Sequence, residues 1–589
     1  MSATLLESIH ADVRSLCSAA IKKSFAEFGI PKKTLDSITL EQPPDETLGD
    51  LAFPCFTLAK ELKKSPVEIA KIVADGIKKL PSEISVVHAT GPYVNFFLNP
   101  ATLGPLLLNT TRTPHKKTPD KIIIEYVSPN TNKPLHLGHV RNAVLGDSVA
   151  RLNEFLGTKV IRTSLVNDRG IHICKSMVAY EEERLKVESR KSKVPTPQNT
   201  GKKGDHFVGD YYVLYNTLLQ KDPSIEDRAK ECLQKWEAGD KKTHALWKKM
   251  NSWVFKGMNE TYRRLGIFFD KTYLESEMYT QGKDIIMKGL AAGVFKRDKT
   301  GAVYADLEAF NLPNKILLRK DGSTIYITQD VYLAFKKFKD FKPNISSSAY
   351  VVGSEQDLYL RQLFAVLKQL KVSYADHLVH LSYGMVRLPE GKMKSREGTT
   401  ADADTLLDGL EQLVKKEILK REKNLTRTEV NKRTRIIALS ALKYYLLMVG
   451  PKSDLIFNPK ESIALHGKTG PYLLYTYARL KSIARRAGGQ KVESRKSKVE
   501  GYDFHNEKAL IVALLTFDER IEKAAEWNPS IHANYLYDLA QKANDYYHTT
   551  PILKAEQGAR TARLLLVAKI ADTLKVGLAL LGISTIERM

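Results

Sequence analysis

Two histidines, His136 and His139, stand three residues apart in the run KPLHLGHVRN, with Lys133 just upstream and Leu137 and Gly138 between them. On a helix, residues three apart share a face. A helix N-terminus attracts phosphate through its free N–H groups and its dipole. Two imidazoles and a lysine on that turn add donors aimed at the same spot, and Gly138 lets a flat ligand approach the backbone. The chemistry this suits is the binding of a phosphate ester such as a nucleoside triphosphate. A bare His-x-x-His is more often a pair of surface histidines, so the surrounding elements must carry the argument. A second loop of related type, LPEGKMKSREG, contains Gly391, Lys392, Met393, Lys394, Ser395, Arg396 and Gly398. Mobile Gly/Ser/Lys loops commonly close over phosphates, although taken alone such a loop is more often a charged surface turn.

The elements around the histidines fit a nucleotide site. Ile122–Val127 is a short, β-branched run that reads as a buried strand. Ser128–Asn132 are turn residues. Val140, Val144, Leu145, Val149, Leu152 and Leu156 then recur at helical spacing, Gly157 is placed to end the helix, and Lys159–Val166 reads as a second strand. This is a β-loop-α-β unit. The polar run Val166–Ile171 follows at the carboxyl end of a strand, where ligands gather in open α/β sheets. Phe207–Phe268 is mostly helical, with Trp236, Trp247 and Trp253 suited to core packing. Strands are expected again within Ala302–Ile327, a helix over Gln329–Phe338, a buried strand at Ala349–Gly353 leading into Ser354–Asp357, and a helix over Leu358–Leu370. The expected fold class is α/β: a Rossmann-type catalytic domain over residues 118–400, split by a helical insertion around 175–300.

On either side the pattern changes. Residues 1–110 read as a small α+β domain with helices over Ala11–Phe28 and Ser65–Lys79, a loop and helix over Gly49–Lys64, and strands at Ile84–Val87 and Tyr93–Leu98; Ser65 is the N-cap and Pro66 the first helical residue. Asn109–Asp120 reads as a linker. From Asp402 the chain turns helical, giving a connector over 401–466 and an all-α bundle over 467–589. Within it Tyr472, Tyr475 and Tyr477 accompany Arg479 and Lys481, and Tyr535, Tyr537, Tyr546 and Tyr547 accompany Lys542. Such interleaving suits base stacking and phosphate contact, but bundle core is the favoured reading for most of these tyrosines. Arg184–Lys203, with seven basic residues against Glu188, reads as a mobile basic loop. KVESRKSKV occurs at Lys186–Val194 and again at Lys491–Val499; both copies read as inserted, exposed segments.

At 589 residues the chain is too long for one core. Its charge balance, 91 − 67 = +24, points to a polyanionic partner, nucleic acid first. Cys17, Cys55, Cys174 and Cys232 form no Cys/His cluster in the sequence, which argues against zinc and suits a reducing compartment. The start lacks a signal-peptide pattern, and no run of about 18 apolar residues is present, so no membrane span is expected and the cytoplasm is the default location.

Taken together these features resemble the class I aminoacyl-tRNA synthetases, and among them the arginyl-tRNA synthetase family. His136–His139 (HLGH) looks like the first class I signature and Lys392–Arg396 (KMKSR) like the second. Ser395 stands where the second signature lysine is expected; arginyl enzymes typically carry a lysine just before the first signature instead, and Lys133 fills that place. Residues 1–110 are similar to the family's tRNA-contacting N-terminal domain, and Gly467–Met589 to its anticodon-binding domain. The resemblance implies activation of L-arginine by ATP with Mg²⁺, then transfer to tRNA(Arg), by a chain expected to be a monomer. It implies catalytic roles for His136, His139, Lys133 and Lys392, and ATP contacts from Leu137, Gly138, Lys392, Met393, Lys394 and Ser395. A guanidinium pairs best with carboxylates. The family-matched positions for arginine are Glu125 and Asp330, with Tyr326 and Gln356 as neutral acceptors and Ser128 and Asn130 for the α-amino and carboxylate groups. Two alternatives are a class I synthetase for another amino acid and a non-catalytic tRNA-binding relative.

Overall fold

The computed structural model describes residues 5–24, 38–43, 45–110, 115–389, 402–488, 499 and 501–589. The chain begins with α1 (Leu5–Ser24), then β1 (Leu51–Pro54), α2 (Phe56–Leu62), α3 (Pro66–Gly76), β2 (Ile84–Thr90), β3 (Tyr93–Leu98) and α4 (Pro100–Asn109). The strands form an antiparallel sheet in the order β1-β3-β2. Ser65 caps α3 in a capping box with Glu68, as its position before Pro66 predicts. Leu51–Pro54, expected as loop, is a strand whose four residues are all buried. Four residues buried on both faces show no alternation, so the periodicity that marks a strand is missing. Asn109 ends a helix rather than opening a linker; that helix is capped by Asn99.

The central sheet takes in β4 (Lys121–Glu125), β5 (Lys159–Val166), β6 (Lys271–Leu274), β10 (Ile345–Gly353) and β11 (Leu378–Tyr383). Its order is β11-β10-β4-β5-β6, and every pairing is parallel. β4 sits in the middle with residues 122–125 buried, which is what its run of isoleucines requires. The order reverses between β4 and β10, and ligands in such sheets bind outside the carboxyl ends at that reversal. Helix α5 (Leu137–Phe155) links β4 to β5. Between β5 and β6 stand α6 (Ile171–Ser189), α7 (Gly204–Lys221), α8 (Ile225–Glu237) and α9 (Lys241–Leu265), the helical insertion. After β6 come α10 (Lys283–Ala291) and a small antiparallel sheet of β7 (Lys296–Arg297), β8 (Val303–Ala305) and β9 (Lys315–Leu318). Then α11 (Tyr326–Phe341) precedes β10, and α12 (Asp357–Gln369) joins β10 to β11.

Two expectations change here. The basic stretch from Arg184 is helical as far as Ser189, because Arg184 pairs with Glu181 and Glu188 at three- and four-residue spacing. The first KVESRKSKV copy is therefore the end of α6 and its following turn; of the second copy only Val499, which is buried, lies among the described residues. The β-branched run Ser323–Thr328, expected as a strand, contributes one bridge, Leu318–Thr324, before α11 starts at Tyr326. The hydroxyl of Thr328 satisfies the backbone N–H of Ile325 and so starts the helix.

Beyond β12 (Val386–Arg387) lie α13 (Ala403–Arg421), α14 (Arg427–Leu447), β13 (Leu455–Ile456), α15 (Gly470–Arg486), α16 (Lys508–Leu515), α17 (Phe517–Ala525), α18 (Ser530–Thr549) and α19 (Gln557–Leu580). α16 and α17 meet at Thr516, where the helix breaks. Tyr477, Tyr535 and Tyr546 are bundle core, whereas the Arg479 guanidinium lies over the rings of Tyr475 and Tyr547 at 4.7 and 5.0 Å. The bundle locks onto the catalytic domain: Ser148 of α5 donates to the Leu580 carbonyl, and the buried Lys443 ammonium to that of Gly582. Among the described residues no helix is long and apolar enough to cross a membrane.

Candidate active site

The first signature is built around its own backbone. His136 is the N-cap of α5 rather than part of its first turn. Its Nδ1 accepts from the Gly138 N–H at 3.1 Å, and its own N–H donates to His139 Nδ1 at 3.1 Å. Two histidines thus form a reciprocal capping box, with ring centroids 3.8 Å apart. Because each Nδ1 accepts from an amide, each ring proton sits on Nε2. Burial, reinforced by the Lys133 charge, depresses the His136 pKa to about 4. Burial, then His136 and Lys133, pushes His139 well below the ordinary histidine range. Both rings are neutral Nε2–H donors at neutral pH, not cations. Gly138 cannot be enlarged without cost: a Cβ there would stand 2.9 Å from the His136 ring.

Helix α5 is buried nearly all round, so its polar side chains must find partners within the protein. Arg141, 0% exposed, donates to four carbonyls: Gly384 (2.7 Å), Met385 (3.0 Å), Pro451 (3.1 Å) and Ser453 (2.7 Å). Asn142 accepts from the Val127 N–H at 2.7 Å and donates to the Val351 carbonyl at 2.6 Å. It therefore ties the loop after β4 to β10. Val127 needs that tie: it holds φ +58°, a conformation that costs a β-branched residue on the order of 1–3 kcal/mol. Arg141 and Asn142 went unnoticed in the sequence, where they look like two ordinary polar positions on an amphipathic helix.

The acidic positions sit behind this loop. Glu125, at the carboxyl end of β4, is 6% exposed and paired at 2.5 Å with Lys337, which is 0% exposed and also lies 4.0 Å from the centre of the Tyr350 ring. Asp330 is partly exposed and accepts a hydrogen bond from the Tyr359 hydroxyl. Burial of its carboxyl raises its pKa to about 6, with Tyr359 opposing and the Glu125 charge adding to the rise. Tyr326, Asp330 and Lys337 fall at i, i+4 and i+11 on α11 and so share a face.

A cavity of about 760 Å³ opens next to the sheet's carboxyl edge. Asn130 and Tyr326 line it; Glu125, Asp330, His136 and His139 do not. Asn130 is held by the Asn167 amide at 2.9 Å, and Tyr326 is 70% exposed. Arg169 and Glu275 also line the cavity. The Arg169 guanidinium pairs with Glu237 (2.6 Å) and Glu275 (3.7 Å) and stacks over Tyr279 at 4.0 Å. Burial raises the Glu275 pKa to about 7, against the Arg169 charge. Glu275 is an acidic wall residue the sequence reading missed; no spacing links it to the signatures. Ser128, Lys133 and Gln356 are exposed. Lys392, Met393, Lys394 and Ser395 lie outside the described residues.

Comparison with known proteins identifies the company this geometry keeps. The family described as tRNA synthetases class I (R), catalytic domain, matches residues 102–458; the DALR anticodon binding domain matches 473–589; and the arginyl tRNA synthetase N terminal domain matches 12–98. An arginine–tRNA ligase of Treponema denticola is 44% identical over 555 residues, 90% of this chain and 91% of that protein. One from Bacteroides thetaiotaomicron is 39% identical over 589 residues, 95% of this chain and 96% of that protein. The solved Thermus thermophilus arginyl-tRNA synthetase superposes with a TM-score of 0.83 at 26% identity, covering 98% of this chain and all of that one.

Proposed function

This chain belongs to the class I arginyl-tRNA synthetase family, and we infer that the arginine–tRNA ligase activity its relatives are named for is performed at the β4–β10 switch point. It is an AMP-forming ligase acting on ATP, L-arginine and tRNA(Arg). In the first step an arginine carboxylate oxygen bonds to the α-phosphorus of ATP, the bridging bond to the β-phosphate breaks, and pyrophosphate leaves. In the second a hydroxyl of the terminal tRNA ribose attacks the activated carbonyl and AMP leaves. Catalysis of this kind is positioning plus stabilisation of charge on the phosphate.

We assign the phosphate-facing donors to the Nε2–H groups of His136 and His139, with Lys133 and Lys392 adding charge and Leu137, Gly138, Met393, Lys394 and Ser395 flanking the nucleotide. The observation that carries this is the reciprocal histidine cap, which uses both Nδ1 atoms and leaves both Nε2–H groups without a partner among the described residues. Asp330 supplies the anion for the guanidinium, supported by Glu125, Tyr326 and Gln356, while Ser128 and Asn130 take the α-amino and carboxylate ends. Mg²⁺ would accompany ATP on its phosphates, which suits an ion that keeps its waters and needs few protein ligands. The cluster of Asp205, His206 and Asp404 does not fit it, because the Lys203 ammonium already lies 2.9 Å from Asp205 and 2.6 Å from Asp404. We further assign residues 1–110 and 467–589 to tRNA contact, a monomeric state and a cytoplasmic location; the net charge of +24 supports a polyanionic partner. Purified protein assayed for amino-acid-dependent pyrophosphate exchange across all amino acids, with and without tRNA(Arg), tests the reading. Exchange and charging with arginine alone are expected; exchange specific to another amino acid, or none, would overturn it.

A further inference from the structure

A densely bonded ionic cluster lies outside the cavity lined by Asn130 and Tyr326, where the insertion meets the start of α13. Asp404 is 9% exposed. Its Oδ2 accepts from Lys203 Nζ at 2.6 Å, from the Thr261 hydroxyl at 3.2 Å, and lies 3.1 Å from His206 Nε2. Its Oδ1 accepts from Arg264 at 3.1 Å. The donors come from two helices of the insertion: Lys203 and His206 from the start of α7, Thr261 and Arg264 from the end of α9. Asp205, 0% exposed, holds Lys203 from the other side. The two helices can approach this closely because of glycines: a Cβ on Gly204 would stand 2.0 Å from the Trp253 carbonyl, and one on Gly257 2.3 Å from the Asp205 carboxylate. Surface ion pairs hold little, but a carboxylate with this many donors from separate elements fixes their relative positions.

What Asp404 fixes is next to the chemistry. The adjacent Ala403 N–H donates to the Leu135 carbonyl at 2.8 Å, and Asp402 forms an antiparallel bridge with His136. The backbone that carries the histidine cap is therefore paired with the first residues of α13. Those residues are clamped to the insertion chiefly through Asp404, and Arg264 also reaches Asp408 at 2.6 Å and Glu411 at 3.2 Å one and two turns further along α13.

We propose that Asp404 is a positioning residue for adenylate formation: by binding Lys203, His206 and Arg264 it holds the start of α13 against Leu135–His136 and so sets where the His136 ring stands. This rests on the ligase reading above, and it gives the helical insertion a task within the first reaction step. The test compares Asp404→Asn, which keeps shape and loses charge, with Arg264→Lys, which keeps charge. Two measurements are made on the full chain: the imidazole nitrogen resonances of His136 in the free protein, and the kinetic constants of arginine-dependent pyrophosphate exchange in the presence of tRNA(Arg). Asp404→Asn is expected to shift the His136 resonances, lower kcat at least tenfold and raise the KM for ATP, with the KM for arginine changed less than twofold; Arg264→Lys is expected to stay within threefold of wild type. Unmoved His136 resonances, or a fall in kcat that matches a loss of folded protein with both KM values unchanged, would overturn the proposal. Should Asp404→Asn fail to fold, Thr261→Val, which removes one hydrogen bond, must still move the His136 resonances, and no movement refutes it. A wild type that lacks arginine-dependent exchange would refute the ligase reading instead, since the resonances report on the positioning independently.

Discussion

The two sides of the β4–β10 crevice handle charge in opposite ways. On the side proposed for the nucleotide, burial keeps His136 and His139 neutral, so that they offer a pair of directed N–H donors beside the Lys133 charge. On the side proposed for the amino acid the protein keeps charge and divides it. Glu125 is matched by the buried Lys337, whereas Asp330 is held by the Tyr359 hydroxyl and pairs with no ammonium among the described residues. Under the proposed assignment, the contrast accounts for how each side would choose its ligand. A triphosphate brings its own charge and needs donors fixed in space, whereas a guanidinium needs an anion left over after the protein has paired its own.

The comparison breaks most visibly at Lys337. Lys337→Met leaves Glu125 charged, buried and alone, which costs about 3–5 kcal/mol. Chemical denaturation would measure it, and adding Glu125→Leu should restore most of the loss; no loss in the single variant would mean that the pair does not divide the pocket's charge. On the nucleotide side, His139→Ala removes one donor and should lower kcat for pyrophosphate exchange by about 10²–10³. The thermal midpoint should move only modestly, because His136 can still cap Gly138. A smaller effect separates the sides by pH. Asp330, raised to about 6 by burial, is protonated below that value and cannot hold a guanidinium. The KM for arginine should therefore rise toward tenfold per unit as pH falls through about 6 and level off above it, while the KM for ATP, which depends on rings already neutral there, should stay flat between pH 5.5 and 8. A parallel rise in both constants would erase the distinction.

The same contrast explains what could be read in the sequence. The histidine cap is local: strand, turn, two histidines and helix are contiguous, and contiguous chemistry is legible from spacing. The opposite side is assembled from five distant stretches, 125–130, 169, 275, 326–337 and 350–359. Glu125 and Asp330 could be named by resemblance, yet nothing in the chain says that Lys337 lies against Glu125, or that Arg169 and Glu275 line the cavity beside Tyr326. Asp404 stands in a stretch that the sequence marks only as turning helical, with nothing to link it to Lys203 or Arg264. Elements failed for a related reason. Leu51–Pro54 is decided by its pairing with Tyr93–Phe96, far along the chain, which overrides the local pattern, and the start of α11 by the Thr328 hydroxyl on the Ile325 N–H, which a β-branched run does not announce.

The most direct test of the account exchanges the anion for its neutral isostere. In Asp330→Asn, kcat/KM for pyrophosphate exchange should fall about 10- to 100-fold with arginine, the loss of one charged hydrogen-bonded contact of roughly 1.5–3 kcal/mol. Citrulline, the uncharged analogue, should be favoured relative to arginine by a comparable factor. Unchanged discrimination between arginine and citrulline would contradict the claim that a single unmatched carboxylate selects the substrate.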